Sequence, residues 1–287
     1  MKQEIIPPKY DFMFKRIFGD RGNTRALVDF LKAVLDLPDE EYKALIFVDP
    51  NLYPRYWGGK RFVLDLKLET HSGKVIDIEI QLSDTYEMKE RIVAYESRMI
   101  SDQLGEGETY RVLTKAITIL IVDFTLIENA DDYHQKFMIR NESASVILSN
   151  IFEIHTIELT KIPSAEDGNI LWRWLKLLKA TREEELDMLQ QHYPDLQEPI
   201  VRIKELSADE LMREERLAYE KARRDEAARL YYATHNGEAR GRVEGRAEGK
   251  AEVARAMLKA GMPISQVAEL SGLAVEEIEA LKEQRHQ

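Results

Sequence analysis

The segment Val63–Ser83, V-L-D-L-K-L-E-T-H-S-G-K-V-I-D-I-E-I-Q-L-S, decides the fold because apolar and polar residues alternate on both sides of a glycine. Such alternation predicts two β-strands, and the glycine between them predicts the turn of a hairpin. One face is apolar and consists of Leu64, Leu66, Leu68, Ile76, Ile78, Ile80 and Leu82. The opposite face carries Asp65, Lys67, Glu69, Asp77, Glu79 and Gln81. Two hypotheses explain four acids on one face: a solvated sheet surface, or a divalent-metal site.

The turn predicts which residues of the two strands face each other. A three-residue loop with Gly73 in the left-handed conformation is a favoured hairpin connection, and it pairs Thr70 with Lys74. In that register Lys67 lies opposite Asp77, and Asp65 lies opposite Glu79. Opposed Cβ atoms are about 4.5–5.5 Å apart. The positive charge of Lys67 therefore offsets the negative charge of Asp77, whereas the carboxylates of Asp65 and Glu79 repel each other. A hard cation such as Mg²⁺ would relieve that repulsion. The spacing leaves both hypotheses open.

The flanking sequence predicts an α/β sandwich. The 3.6-residue apolar period and capping residues predict helices at 10–18, 23–37 and 86–104. The nearly continuous apolar run at 116–124 is rich in β-branched residues and predicts a strand buried on both sides. Further strands are predicted at 44–48, 137–140 and 151–159.

From Ile170 onward the pattern is helical. Glycine recurs every fourth residue at Gly237, Gly241, Gly245 and Gly249, which in a helix gives a stripe advancing by about 40° per step. A flexible linker is the alternative, because each glycine costs about 1 kcal/mol in a helix.

The final segment predicts a helix-turn-helix, with Ser265 capping one helix and Gly272 preceding the next. Its last helix carries Glu276, Glu277, Glu279 and Glu283 against Lys282 and Arg285, so packing or oligomerisation competes with DNA reading.

Composition narrows the protein class. The chain has 287 residues, a net charge of −11 and no cysteine, which excludes disulfides and thiolate metal sites. Residues 121–200 carry most of the negative charge, and the acidic balance argues against DNA binding through bulk charge. No signal-peptide pattern or apolar run of about 18 residues is present, so we expect a cytoplasmic protein without a membrane partner.

These pieces together resemble the PD-(D/E)XK nuclease superfamily and, more narrowly, the recombination-promoting nuclease (Rpn) family of transposase-like proteins. The matching segments are Y-D-F-M-F-K-R-I-F-G, V-L-D-L-K, I-D-I-E-I-Q-L, E-R-I-V-A-Y-E-S-R-M-I-S-D-Q-L and M-L-K-A-G-M-P-I-S-Q-V-A. The resemblance implies an α/β, restriction-endonuclease-like PD-(D/E)XK core with an all-helical C-terminal extension. We expect a nuclease-like domain at 1–165, a helical region at 166–235, and a glycine-repeat helix with a small helical tail at 236–287.

The resemblance also implies site residues. Asp65 and Glu79 would be the catalytic carboxylates and ligands of Mg²⁺, or of another divalent cation such as Mn²⁺ or Ca²⁺, and the Ile80 carbonyl would join them. Gln81 stands where the superfamily usually has Lys, so it can orient water but cannot act as a general base. Slower cleavage, or a stronger dependence on metal, is the expected consequence.

DNA contacts are expected from Lys67 and from one face of the helix after the hairpin, where Arg91, Tyr95 and Arg98 follow at i, i+4 and i+7. A solvated face with Arg98 paired to nearby acids is the alternative. Asp11 and Lys15 match the opening motif of the family and are expected to cap and anchor the first helix near the site.

The expected function is metal-dependent hydrolysis of DNA phosphodiester bonds by an endonuclease, with a role in recombination implied by the family. The partners are DNA and a second copy of the chain, joined through the C-terminal helices. A catalytically weak or inactive DNA- or partner-binding protein on a nuclease scaffold is the alternative, favoured by Gln81 and by the acidic charge.

Overall fold

The predicted hairpin lies inside a six-stranded mixed sheet. The computed structural model describes residues 4–52, 62–84 and 87–283. The strands of the sheet are β1 (Ile46–Phe47), β4 (Leu66–Glu69), β5 (Val75–Gln81), β6 (Ala116–Val122), β7 (His134–Arg140) and β8 (Ile147–Glu158), in the order β1-β4-β5-β6-β8-β7. A separate two-stranded ribbon joins β2 (Asn51–Leu52) and β3 (Phe62–Val63). β5, β6 and β8 run parallel, so their carboxyl ends lie at one edge of the sheet.

The central strand is β6, as its apolar run predicts. All seven of its residues are buried, because helices cover both faces of the sheet. The hydrophobic cluster on one face draws on α1 (Asp11–Phe18), α2 (Arg25–Val34), α4 (Ile170–Lys179), α5 (Glu183–His192) and α6 (Gln197–Ala208), and on Met212 just beyond α6. The other face is covered by α3 (Met88–Ser101), through Met88, Ile92, Tyr95 and Met99.

The second helix is shorter than its apolar period predicts. It begins at Arg25 after Thr24, and Asn23 accepts a hydrogen bond from the Arg25 N–H at 3.2 Å. It ends at Val34 because Leu35 is already extended. Tyr86, the predicted first residue of the third helix, lies outside the described residues, as does Arg285.

The acidic face of the hairpin is not a solvated surface, and that hypothesis was wrong. Asp77 and Glu79 are buried under α3, with 0% and 2% of their surface exposed. The predicted face of Leu64 was also wrong, since Leu64 packs in the α3-side cluster whereas Leu66 and Leu68 pack on the opposite side. The reason is local: Asp65 lies in a bend between β3 and β4, which interrupts the alternation.

The chain divides into two compact units, residues 1–214 and 215–287. The second unit contains most of α7 (Glu210–Lys259), a continuous helix of 50 residues that includes the glycine repeat, so the linker alternative was wrong. It ends with α8 (Ile264–Ser271) and α9 (Val275–Glu283). Gly272 separates these helices with φ +63°, as predicted, but Pro263 rather than Ser265 occupies the N-cap of α8. No helix among the described residues is long and apolar enough to cross a membrane.

Candidate active site

The hairpin turn sets the register that brings the acids together. Gly73 has φ +80°, a conformation that favours glycine, and the Thr70 N–H donates to the Lys74 carbonyl at 2.9 Å. Lys67 consequently pairs with Asp77, as the sequence predicts.

Glu41 braces this turn, a role that the sequence analysis missed. It accepts hydrogen bonds from the Thr70 hydroxyl at 2.7 Å, from the Ser72 hydroxyl at 2.8 Å and from the Lys74 ammonium. Burial alone would raise the pKa of Glu41, but these donors lower it to about 2.

Asp65 and Glu79 hold each other through their backbones. The Asp65 N–H donates to Oε1 of Glu79 at 2.9 Å, and Oδ2 of Asp65 accepts the Ile80 N–H at 3.1 Å. The bend at Asp65 turns its side chain toward the end of β5, where it replaces a strand as the partner of the Ile80 N–H. Both carboxylates therefore lie at the carboxyl end of β5, although they are not a ladder pair.

This arrangement concentrates negative charge where water is excluded. Burial raises the pKa of Glu79 to about 8, and the charge of Asp65 adds to the shift, against the Asp65 N–H, Arg91 and Lys15. Burial likewise raises the pKa of Asp77 well above its usual value, followed by the charges of Glu79 and Asp65. Neither carboxylate oxygen of Asp77 has a hydrogen-bond partner in the described part of the chain. The prediction that Lys67 neutralises Asp77 was too simple, because burial outweighs the effect of Lys67 on that pKa.

One side chain from each layer of helices brings positive charge to the acidic pair. From α1, the Lys15 ammonium lies 2.8 Å from Oδ1 of Asp65. Burial opposes the shift, but the hydrogen bond to Asp65 and its charge raise the pKa of Lys15. From α3, Nη2 of Arg91 lies 3.9 Å from Oε2 of Glu79. Lys15 thus contacts a carboxylate of the site directly, whereas the sequence predicted only that it anchors the helix nearby. Asp11 accepts a hydrogen bond from the Phe12 N–H at 2.7 Å.

The three predicted DNA contacts on α3 do not gather at one point. Arg91 lies against the ring of Tyr95, with 5.6 Å between the guanidinium carbon and the ring centroid. Tyr95 is 7% exposed, which leaves little ring surface for stacking on a base. Arg98 pairs with Asp102 at 3.0 Å, which is the arrangement that the solvated-face alternative predicts.

The last residues of β5 complete the edge of the site. Gln81 is half-buried, and its carbonyl accepts the Asp123 N–H at 3.0 Å. In a strand the N–H and C=O of one residue point to the same side. Since the Ile80 N–H points to Asp65, the Ile80 carbonyl is directed to the Asp65 side as well.

The carboxylate oxygens of Asp65 and Glu79 and the carbonyl oxygen of Ile80 are suitable ligands for a hard divalent cation. They are all oxygens, and a bound cation would stabilise the charged form of Glu79, which burial disfavours by raising its pKa to about 8. Within residues 4–52, 62–84 and 87–283, no three or more His, Asp or Glu side chains already converge in a metal-binding arrangement. A cation here would therefore rely on two carboxylates, a backbone carbonyl and water.

Two models of known protein families match the chain. Residues 8–233 match the family described as PD-(D/E)XK nuclease family transposase. Residues 247–283 match the C-terminal helix-turn-helix domain of the Rpn/YhgA-like nuclease family. No curated protein and no solved structure matches the chain.

The first match covers more than half of the chain, so this protein belongs to the PD-(D/E)XK nuclease family of transposases. The second match places it, more narrowly, with the Rpn-type proteins. The six-stranded mixed sheet between helices is consistent with a PD-(D/E)XK core, and the resemblance predicted from the sequence is confirmed.

Proposed function

We propose that the protein is a metal-dependent endonuclease that hydrolyses DNA phosphodiester bonds. The observation that carries the proposal is the pairing of Asp65 and Glu79, linked by a 2.9 Å hydrogen bond at the carboxyl end of β5. Family membership supports a nuclease-type activity. We also propose that this activity promotes recombination and that the protein is located in the cytoplasm.

Asp65, Glu79 and the Ile80 carbonyl would hold Mg²⁺, or Mn²⁺ or Ca²⁺ in its place. A bound cation would supply Lewis-acid charge for a phosphoryl oxygen and lower the pKa of water. Glu79 is fixed for this role by the Asp65 N–H, and Asp65 by the Ile80 N–H and Lys15. Two carboxylates with preset positions require little rearrangement on binding.

Gln81 would orient the attacking water from the last position of β5. Its amide both donates and accepts hydrogen bonds but takes up no proton near neutral pH, so the proton must leave through solvent. Arg91 would steady Glu79, while Lys67 and Arg98 would contact phosphates along the duplex. Tyr95 would act by holding Arg91 rather than by stacking on a base.

Self-association would bring two such sites to two DNA strands. The repeat in α7 supports a helix–helix contact, because a Cβ atom added at Gly237, Gly241, Gly245 or Gly249 would meet nothing within 4 Å in the described chain. That surface therefore allows another backbone to approach closely. The acidic side chains of α9 favour this packing role for the tail over reading of DNA bases.

Plasmid nicking tests the proposal. Purified protein is expected to nick supercoiled DNA with Mg²⁺ or Mn²⁺ and to stop when the metal is chelated. Asp65→Ala and Glu79→Ala should each abolish nicking, whereas Glu69→Gln, at the other end of β4, should cut like the parent. If both alanine variants cut at the parental rate, the site is wrongly assigned.

A second candidate is a DNA- or partner-binding protein that retains the scaffold without cleavage. Gln81 in the position of the superfamily lysine favours it, as does the net charge of −11. Metal stabilisation separates the two, since a ligand that binds only the folded state raises the unfolding temperature. Binding of DNA without cleavage and without any metal-induced shift would favour the second candidate.

A further inference from the structure

Two positively charged side chains lie beside the Asp65–Glu79 pair, and Lys15 is more exposed than Arg91. The Lys15 side chain is 40% exposed, against 15% for Asp65 and 3% for Glu79. The Arg91 side chain is 25% exposed and packs on Tyr95. An approaching phosphate therefore meets Lys15 first.

The position of Lys15 is fixed by the helix that carries it. Four residues of α1 are buried on the inner face: Met13, Phe14, Ile17 and Phe18. The ring of Phe18 packs at a tilt against Phe14 and Trp174, with 4.6 Å and 6.0 Å between the ring centroids. This anchoring holds Lys15 beside the end of β5, while the next residue, Arg16, lines a different cleft with Glu198 and Arg202.

Lys15 also has the chemistry that Gln81 lacks. Its ammonium can donate three hydrogen bonds, and the contact with Asp65 accounts for one of them. An amide at position 81 offers no net charge to a phosphate, whereas an ammonium 2.8 Å from a carboxylate of the site offers a full positive charge.

We propose that Lys15 contacts the scissile phosphate held at the Asp65–Glu79 pair and supplies the positive charge that is missing at Gln81. The inference rests on the proposed nuclease function. In this role the α1 lysine binds a non-bridging phosphate oxygen while keeping its contact with Asp65.

DNA binding in Ca²⁺ tests the contact without relying on turnover. Affinity for a duplex is measured over a range of salt concentrations for the parent, Lys15→Gln, Lys15→Arg and the neighbouring control Arg16→Gln. Log affinity falls linearly with log salt concentration, and loss of one phosphate contact makes this slope less steep by about 0.9. Lys15→Gln should show this decrease, and Lys15→Arg and Arg16→Gln should keep the parental slope. An unchanged slope in Lys15→Gln would overturn the inference.

The same measurement in an Asp65→Asn background separates phosphate contact from support of Asp65. If Lys15 acts only through Asp65, adding Lys15→Gln will change nothing there, and the inference is wrong. If Lys15 contacts phosphate, the slope will decrease in that background too.

Cleavage provides the second readout. Lys15→Gln should lower kcat on the order of 10²-fold, the scale for losing one charge-stabilising group, with Arg16→Gln unchanged. Parental cleavage by Lys15→Gln, alongside loss of cleavage in Asp65→Ala, would overturn the inference but leave the nuclease function standing. A parent that never cuts would overturn the nuclease function, while the salt slopes would still decide whether Lys15 contacts DNA.

Discussion

The N–H of Asp65 donates a hydrogen bond to Oε1 of Glu79, and the Asp65 carboxylate accepts the N–H of the next residue, Ile80. Glu79 therefore has two roles: its carboxyl oxygen holds the chain at Asp65, and its ionised form would hold a cation. Substitutions can separate the two roles, because an amide oxygen accepts the same hydrogen bond without the charge.

Glu79→Gln should abolish cleavage but raise the stability of the metal-free protein at alkaline pH. The folded-state pKa of about 8 lies above the usual 4.5, so the parent loses stability as pH rises from 4.5 through 8. Gln does not ionise, so the part of this loss that comes from Glu79 should be absent and the variant should be less sensitive to pH than the parent. Urea unfolding at pH 6 and pH 8.5 in chelator measures the difference. A Glu79→Gln variant as pH-sensitive as the parent would show that Glu79 is already ionised in the fold.

Glu41→Ala should loosen the hairpin turn and cost on the order of 1–3 kcal/mol, because the buried Thr70 hydroxyl and the Ser72 hydroxyl lose their acceptor. The lowered pKa of about 2, against the usual 4.5, places this stabilisation above pH 4.5 and removes it as pH falls toward 2. Urea unfolding at pH 7 and pH 3 should show a smaller effect of the substitution at pH 3. Glu40→Ala, which removes an exposed ion pair with Lys43, is the control and should change stability by less than about 1 kcal/mol.

Gln81→Lys should rescue cleavage in the Lys15→Gln variant. Both positions lie at the carboxylate pair, so a lysine at position 81 restores a positive charge from the strand instead of from α1. Nicking rates of the two single variants and the double variant measure the rescue. A double variant no faster than Lys15→Gln would show that the charge cannot act from position 81.

The double substitution Gly241→Ala/Gly245→Ala should stabilise helix α7 and weaken self-association. Each alanine favours the helix by about 1 kcal/mol and meets no neighbour within 4 Å in the described chain. A second copy packed on the glycines would instead be pushed away. Thermal unfolding and sedimentation should therefore show a more stable helix and weaker association. Unchanged association would exclude this stripe as the contact surface.

The hairpin was the most predictable part of the fold. Its turn residues and its two alternating strands independently specify the register, and the structure has the predicted pairing of Lys67 with Asp77. Strand β6 was equally clear because burial on both faces requires a continuous apolar run. The helical state of the glycine repeat was not decidable, since propensity and the period of four oppose each other.

The surroundings of the site were much less predictable. Which layer covers a sheet face depends on contacts between distant segments, so the burial of Asp77 and Glu79 under α3 left no local signal. The bend at Asp65 likewise follows from its contacts with Ile80 and Lys15. Lys15 could have been suspected from its place in the opening motif, but its contact with Asp65 requires the packing of α1 on the sheet.

Thermal unfolding under Mg²⁺ titration tests most directly whether Asp65 and Glu79 share a cation. The unfolding temperature of the parent and of Glu69→Gln should rise with Mg²⁺ in parallel, and that of Asp65→Asn and Glu79→Gln should not rise. Equal stabilisation of all four proteins by Mg²⁺, or none in the parent at any concentration, would contradict the shared cation site.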